Sequence, residues 1–356
     1  MLKRKQGPAQ MTKTDIIVIG ASMGGFHALR DLISEFPKDL KAAVLVVLHI
    51  PSEHKSFLAE TFGKNAKIPV LAAKDHLEIK NGHVYIAVPD FHLLIKSKRI
   101  ELSHGPRHNL HRPAVDTLFY SAATAYGPRV IGVILTGALD DGTAGLMEVK
   151  RHGGVSVIQD PSDAVNPSMP ASARDCVPID HCVPLSKMAE LLVTLAGQPV
   201  KMSSLAAAKK MPKPNEPELS THICPECNGP MWAIEAGNLL HFHCRIGHAF
   251  SGQSLLVEKN MALETALWSA VNALKDKSNI AGQLLSLLKK SKSKSETPQY
   301  YREQIESADY YSDQLREILV KESSPAALAS KKGKRKQTTK KLAKRRTPQS
   351  RSHIEV

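Results

Sequence analysis

Short apolar segments alternate with amphipathic segments along the first half of the chain. TDIIVIG, AAVLVVLHI and VIGVILTG are rich in β-branched residues, which is typical of buried strands. FHALRDLISEF, between the first two, repeats its apolar residues at helical spacing. Strands that alternate with helices predict βαβ units and a mostly parallel sheet. GHVYIAV, FHLLIKS and RIELSHG are shorter apolar segments, and we expect an antiparallel edge or hairpin there.

The pattern changes near residue 197. A Pro/Ala/Lys-rich segment is typical of a linker, and a Cys/His-rich segment follows it. Two long segments with helical spacing then predict a helical hairpin or coiled coil, and the Lys-rich end predicts disorder. The expected order is a basic extension (1–13), an α/β domain (14–196), a linker (197–221), a Cys/His module (222–250), a helical region (251–322) and a basic tail (323–356).

The composition excludes a wholly disordered chain, and the order of charged residues shows where the positive charge lies. The chain has 356 residues, 42% of them hydrophobic, which is enough to bury a core in about two domains. Its net charge of +14 is typical of nucleic-acid-binding proteins, yet residues 14–330 contain 33 basic and 33 acidic residues. The excess charge therefore lies in the two ends. We expect no nucleic-acid binding except through the basic tail, which has no aromatic residue for base stacking.

The cysteine count and the apolar runs indicate the compartment. Five cysteines are an odd number and do not suggest a disulfide framework in a chain of this length. The apolar run of Ile16–Ile19 is too short for a signal peptide, and Ala42–Leu48 is far shorter than the about 20 residues of a membrane helix. We expect a cytoplasmic protein without a membrane span.

Candidate chemistry begins at the first βα junction, which reads GASMGG over 20–25. Free N–H groups at a helix N-terminus can bind a phosphate or stabilise an oxyanion. Ser22 is thus part of a nucleotide site, a nucleophile, or a cap in a structural turn. The chain has neither GxGxxG nor GxxxxGK[ST], which disfavours the nucleotide interpretation.

Two further junctions favour a hydrolase. His49 follows the second predicted strand, and Asp140 and Asp141 follow VIGVILTG. The carboxyl ends of parallel strands share one edge, so a serine, a histidine and an aspartate would meet there, as nucleophilic catalysis requires. The order Ser, His, Asp differs from that of α/β-hydrolases, which disfavours that fold but not ester hydrolysis.

Four motifs carry a resemblance to a known family. IGASMGG, LHIP, HRPAVDTLFYSAA and LTGALDDGTAGL resemble, in order and spacing, the catalytic domain of the bacterial chemotaxis protein-glutamate methylesterases, the CheB family, over 14–196. The resemblance implies a doubly wound α/β enzyme that hydrolyses glutamate methyl esters of chemoreceptors, releases methanol and also deamidates glutamines. It implies Ser22, His49 and Asp141 as catalytic residues, and no catalytic cofactor. Where the family usually has Met-Gly, this chain has Ala138-Leu139, so we expect a different shape for this loop.

Partners follow from the same resemblance. The family usually has a receiver domain before the esterase, whereas thirteen residues precede the first predicted strand here, so we expect control from elsewhere. A separate receiver protein or a methyltransferase are candidate partners, besides the methylated chemoreceptor. The alternative function is a catalytically weak signalling adaptor that binds partners through its C-terminal helices.

The Cys/His-rich segment predicts a metal site. Cys224 and Cys227 form a CxxC pair, and Cys244 and His248 form a CxxxH pair. Two such pairs are typical of tetrahedral zinc, and a segment this short needs a staple in order to fold. With four protein ligands the zinc would be structural. His241 and His243 are alternatives for the fourth ligand.

Other reactive side chains receive simpler interpretations. We expect the histidines around HRPAVD to lie on the surface or along the substrate path. We expect the arginine and aspartate of this motif, four residues apart, to form an ion pair. We expect the two remaining cysteines to be buried thiols. These residues are His104, His108, His111, the Arg112/Asp116 pair, Cys176 and Cys182.

Overall fold

The computed structural model describes residues 13–50, 56–200, 205–206, 208–209, 211–290 and 297–323. The chain divides into two compact units, one ending at Glu258 and the other beginning at Lys259. Residues 1–12 of the basic extension and 324–356 of the basic tail lie outside the described residues.

A parallel sheet forms the centre of the first unit. Its seven strands are all parallel, in the order β3-β4-β2-β1-β7-β8-β9. The strands are β1 (Ile16–Ala21), β2 (Ala43–Leu48), β3 (Val70–Ala72), β4 (Val84–Ile86), β7 (Val130–Ile134), β8 (Val155–Gln159) and β9 (His181–Val183).

Helices cover both faces of this sheet. The side chains of β1 alternate between two hydrophobic clusters: Ile16 and Val18 pack in one, and Ile17 and Ile19 in the other. Every residue of β1 is buried, which is expected of a strand between two helical layers. This is the doubly wound α/β architecture. Its helices are α1 (Gly25–Glu35), α2 (Leu58–Gly63), α3 (Val115–Tyr126), α4 (Thr143–Arg151), α5 (Ser168–Cys176) and α6 (Leu185–Leu195).

One expected hairpin strand belongs instead to the parallel sheet. The segment GHVYIAV forms β4, which pairs in parallel with β2 and β3 and is fully buried. FHLLIKS and RIELSHG form the antiparallel hairpin of β5 (His92–Lys96) and β6 (Arg99–Ser103). Periodicity alone does not distinguish a short buried parallel strand from a hairpin strand. The partner of β4 is set by the tertiary structure.

A four-stranded antiparallel sheet contains the Cys/His module. Its strands are β10 (Glu218–Ile223), β11 (Pro230–Ala236), β12 (Leu239–Cys244) and β13 (Ala249–Ser251). β10 begins inside the segment expected to be a linker, because its backbone pairs with β11. The α/β domain and the module lie together in the compact unit that ends at Glu258.

Two long helices follow the module. α7 (Gly252–Lys290) continues beyond Glu258, and α8 (Thr297–Ser323) lies in the second unit. These helices match the two helical patterns of the sequence. Val271 and Ala308 are buried, whereas Ile280 and Leu287 are well exposed. No helix within the described residues is both long enough and apolar enough to cross a membrane.

Candidate functional site

Three adjacent strands bring Ser22, His49 and Asp141 to the same edge of the sheet. Ser22 follows β1, His49 follows β2, and Asp141 lies in the loop after β7. Strands β2, β1 and β7 are neighbours in the sheet and run in parallel. Their carboxyl ends therefore meet at one edge, the place where open α/β sheets bind ligands.

The turn that carries Ser22 is fixed by backbone contacts. The N–H of Ser22 donates to the carbonyl of Thr136, and the N–H of Gly25 donates to the carbonyl of Ser22. Gly24 has a φ of 81°, a left-handed conformation that glycine adopts without a steric cost. Among the described residues, the N–H groups of Met23 and Gly24 have no acceptor. They remain free to donate to a ligand at the start of α1.

His49 is held by Asp141 through one ring nitrogen. Its Nε2 lies 2.8 Å from Oδ2 of Asp141, and both side chains are almost completely buried. Its Nδ1 is also buried and has no hydrogen-bond partner within the described part of the chain. A buried polar atom without a partner is rare and points to a functional role.

Asp141 receives hydrogen bonds from every side. Oδ2 accepts the N–H of Val115 at 2.6 Å, and Oδ1 accepts the Asn109 amide at 2.9 Å and the N–H groups of Asp116 and Gly142. Burial by itself would raise the pKa of Asp141, but the hydrogen bond and charge of His49 keep that pKa well below the ordinary value. Asp141 is therefore an ionised acceptor that fixes the ring of His49.

The two consecutive aspartates, Asp140 and Asp141, bond to different partners. Asp141 contacts His49, whereas Asp140 accepts a hydrogen bond of 2.6 Å from the hydroxyl of Ser251. Burial raises the pKa of Asp140, and the Ser251 hydrogen bond opposes this. Leu139, before them, has a φ of 62°, the region that favours glycine.

His111 is part of the site, although sequence reasoning placed it on the surface or the substrate path. Its ring stacks on that of His49, with centroids 3.6 Å apart and an interplanar angle of 15°. Burial, and then the neighbouring charge of His49, lower the pKa of His111 to about 4. His111 is therefore neutral near pH 7. The only sequence signal for this role was its place in HRPAVD.

The expected pair of Arg112 and Asp116 does not form. Arg112 makes a two-nitrogen contact with Asp90, at 2.6 Å and 3.0 Å. Asp116 is buried at the start of α3 and accepts the amide of Asn109 and the N–H of Gly145. Burial, and then the charge of Asp141, raise its pKa well above the ordinary value. The spacing of four residues was misleading because Arg112 precedes the helix and points to another loop.

Ser22 and His49 line the same cavity. Its volume is about 380 Å³, and its wall includes both catalytic candidates and basic side chains. Such a space can hold a side chain of a larger substrate. The lining residues are Ser22, His49, Ile50, Arg107, Leu110, His111 and Arg112.

The module gathers the four predicted metal ligands. One ligand atom from each of Cys224, Cys227, Cys244 and His248 lies within 4.8 Å of the others. The Sγ atoms of Cys227 and Cys244 are 3.6 Å apart, and Cys244 Sγ is 3.5 Å from His248 Nδ1. Tetrahedral zinc with bonds of about 2.3 Å to sulfur and about 2.0 Å to nitrogen requires separations of roughly 3.5–3.8 Å. The residues present fit a zinc ion.

The other histidines and cysteines lie outside this cluster. His243 stacks against Trp232, and Nε2 of His241 is buried without a partner within the described residues. Cys176 is half-buried and Cys182 is exposed, so the expectation of two buried thiols is wrong for Cys182. Cys182 lies at the sheet edge in β9, where one side is open.

The fold and this edge define a doubly wound α/β protein with a candidate serine, histidine and aspartate site. Residues 17–192 match the CheB methylesterase family. A Leptospira interrogans relative, named "putative protein-glutamate methylesterase/protein-glutamine glutaminase", is 39% identical over 182 residues, which are 51% of this chain and 94% of the relative. The chain belongs to the CheB methylesterase family, as the sequence motifs predicted.

A further relative and a solved structure are similar to the α/β domain. A protein-glutamate methylesterase/protein-glutamine glutaminase of Trichodesmium erythraeum is 36% identical over 200 residues, 55% of this chain and 57% of the relative. The crystal structure of the Thermotoga maritima CheB methylesterase catalytic domain is 36% identical, covers 52% of this chain and 100% of its own, and has a TM-score of 0.49.

Proposed function

We propose that this protein is a serine hydrolase that demethylates glutamate methyl esters on chemoreceptors and deamidates receptor glutamines. The observation that carries the proposal is the state of His49. One ring nitrogen is bonded to a buried carboxylate, and the other is unpartnered and belongs to a side chain that lines the same cavity as Ser22. A general base oriented in this way can activate a serine.

The reaction follows from these groups. The Oγ of Ser22 attacks the ester carbonyl while Nδ1 of His49 takes its proton. The tetrahedral intermediate then collapses, and the proton on His49 passes to the leaving oxygen, so that methanol departs. Water attacks the acyl-serine with the same base, which frees the glutamate carboxylate and restores Ser22. A glutamine substrate releases ammonia instead of methanol.

The start of α1 supplies the stabilisation of the oxyanion. The free N–H groups of Met23 and Gly24 flank the nucleophile and lie where the helix dipole favours negative charge. Asp141 stays ionised and stabilises the imidazolium that forms on His49. The neutral ring of His111 stacks on His49. When His49 takes the proton of Ser22, its positive charge lies over this aromatic face, which is a favourable arrangement.

The serine assignment is tested by methanol release from a methylated receptor fragment. We expect Ser22→Ala to lower turnover by at least about a thousandfold, because the nucleophile is lost. The matched control is Ser34→Ala in α1. The hydroxyl of Ser34 is exposed and donates to the carbonyl of Asp31 at 2.7 Å. Turnover of Ser22→Ala equal to that of the control would refute the proposed function.

We also propose a structural zinc ion bound by Cys224, Cys227, Cys244 and His248. The separations of their ligand atoms support it, and the metal would supply folding free energy to the module. Four protein ligands leave no open position, so these residues hold the module together and take no part in ester hydrolysis. Metal analysis of the purified full chain should give about one zinc per chain.

We place this reaction in the cytoplasm and its control in a separate protein. None of the five cysteines forms a disulfide, which suits a reducing compartment. The helices α7 and α8 expose apolar side chains such as Ile280 and Leu287, which favours a binding role for this region. A receiver protein or a methyltransferase are the partners we propose for it. The adaptor function would then accompany hydrolysis.

A further inference from the structure

A short segment of the α/β domain lies between the Cys/His module and the candidate active site. We call residues 107–111 the bridging segment. One end of it carries His111, which stacks on His49. At its centre, the N–H of Asn109 donates to the carbonyl of Ala249 in β13, and the N–H of Ala249 is directed to the carbonyl of Arg107. The module thus pairs with the backbone of a segment that lines the site.

Asn109 connects the module to the aspartates by its side chain. Its amide Nδ2 donates to Asp116 at 2.8 Å and to the candidate catalytic Asp141 at 2.9 Å. Its Oδ1 accepts the N–H of Ser251 at 2.7 Å. The residue is 4% exposed, and its φ of 48° lies in the left-handed region, which asparagine tolerates.

A second link from the module reaches the loop that holds Asp141. The hydroxyl of Ser251 donates to Asp140 at 2.6 Å and accepts the N–H of Ser254, thereby capping the first turn of α7. Ser254 also points its hydroxyl to Asp140, at the longer distance of 3.4 Å. These three polar side chains are buried, which makes their pairing costly to lose.

Apolar packing reinforces the polar links. Leu110 of the bridging segment packs against the small core of the module, which includes Phe250 and Leu255, and it also lines the cavity of Ser22 and His49. One wall of the active-site cavity is therefore supported by the module. Movement of β13 would move Asn109, Leu110 and His111 together.

We propose that Ser251 and Asn109 are positioning residues, through which the Cys/His module holds the bridging segment and the Asp140–Asp141 loop in the arrangement that hydrolysis requires. The inference rests on the proposed function of the Ser22, His49 and Asp141 site. It makes the module a part of the esterase, because Asn109, which donates to Asp141, is itself held by the backbone of Ala249 and Ser251 in β13. Groups that orient a catalytic side chain from behind commonly affect activity by ten- to a hundredfold.

The experiment compares single variants of the full chain with its metal bound. Ser251→Ala removes the hydroxyl that bonds Asp140 and caps α7. We expect kcat for methanol release to fall about tenfold, with KM within about twofold of the original, because substrate contacts do not change. The rate at which a fluorophosphonate labels Ser22 should fall by a similar factor, since it reports the activation of the serine without the receptor.

Two controls separate positioning from folding of the module. Ser251→Thr retains a hydroxyl and should recover kcat to within about twofold. Ser220→Ala removes a half-buried hydroxyl of β10 in the same sheet, which donates to the carbonyl of Met231 and accepts the N–H of His222 but contacts no residue of the site, and should leave kcat unchanged. Metal content should be the same in all of these variants. Asn109→Asp replaces the donor to Asp141 with a carboxylate and should lower kcat at least as much as Ser251→Ala.

The outcomes distinguish this inference from the proposed function. If Ser22→Ala is inactive while Ser251→Ala and Asn109→Asp keep kcat within twofold, the positioning role is wrong and the hydrolase stands. If Ser251→Ala loses activity together with its metal, and Ser251→Thr does not recover it, the residue serves folding only and the inference is overturned. If Ser22→Ala is fully active, the proposed function fails first.

Discussion

The α/β domain and the Cys/His module keep their shapes by different means. Strands β1 and β2 are buried along their whole length, and two extensive apolar clusters flank them. In the module, β10 is exposed at five of its six residues, and the apolar core contains six buried residues, two of them metal-ligand candidates. Burial of apolar area stabilises the first region, whereas the second buries far less apolar area and would gain stability from the proposed zinc ion.

This difference places the two regions in different roles around one site. The parallel strands set where Ser22, His49 and Asp141 emerge, and a packed sheet resists small movements. The module supplies Ser251 behind the aspartates from a small core that includes two of the four candidate metal ligands. The position of the three candidate catalytic residues thus depends on the α/β domain, and the support of the Asp140–Asp141 loop depends on the smaller module.

Loss of a candidate metal ligand should have the largest effect, and it should destabilise the module but not the α/β domain. We expect Cys244→Ser to lose the zinc and unfold the module, because a structural zinc contributes on the order of 10–16 kcal/mol of binding free energy. The α/β domain should remain folded, since its core contains none of the ligands. Metal analysis and the fluorescence of Trp232, in a Trp268→Phe background, would measure the change.

Cys182→Ser is the control for this prediction. Its thiol is exposed and lies outside the ligand cluster, so the variant should keep both the metal and the fluorescence. A Cys244→Ser protein that retained one zinc per chain and unchanged fluorescence would contradict the metal-dependent module.

A second test uses two half-buried histidines, one in each region. The pKa of His111 in the α/β domain is lowered to about 4 by burial and by His49, and the pKa of His241 in the module is lowered to about 4 by burial and by Arg151. The folded pKa values lie below the unfolded value of about 6.5, so unfolding binds protons and stability falls as the pH drops from about 6.5 to about 4. Each histidine accounts for at most about 3 kcal/mol over this window.

We expect His111→Phe to flatten the pH dependence of the free energy of unfolding by one proton. Urea denaturation at pH 5 and pH 7 would measure it, with the far-ultraviolet signal of the α/β domain as the probe. His241→Phe should flatten the transition of the module in the same way. An unchanged difference between the two pH values in His111→Phe would show that this histidine is accessible to protons in the folded protein.

The smallest expected effect concerns two left-handed residues, one in each region. Leu139 has a φ of 62° and Asn228 a φ of 57°. Leucine is strained in this conformation, whereas asparagine tolerates it. We expect Leu139→Gly to raise the free energy of unfolding by less than about 1 kcal/mol, and Asn228→Gly to change it by only a few tenths. Thermal unfolding of both variants would check the difference, and equal shifts would contradict the strain at Leu139.

Several features of the site were predictable because they depend on local pattern. The apolar runs placed Ser22 and His49 at strand ends, and the CxxC and CxxxH pairs bring their four candidate ligand atoms within 4.8 Å of one another. Arg112 and Asp116 show the limit. Their spacing suggested a pair, yet Arg112 lies outside the helix and bonds Asp90, and Asp116 faces Asn109.

The sequence by itself determined the parallel strands, the edge where they end and the residue types that meet there, because hydrophobic periodicity and motif spacing are local properties. Only the tertiary structure decided that β4 joins the parallel sheet, that His111 stacks on His49, and that Ser251 reaches Asp140 over more than a hundred residues. These contacts join segments far apart in the chain, and buried polar groups choose among the partners that folding brings near them.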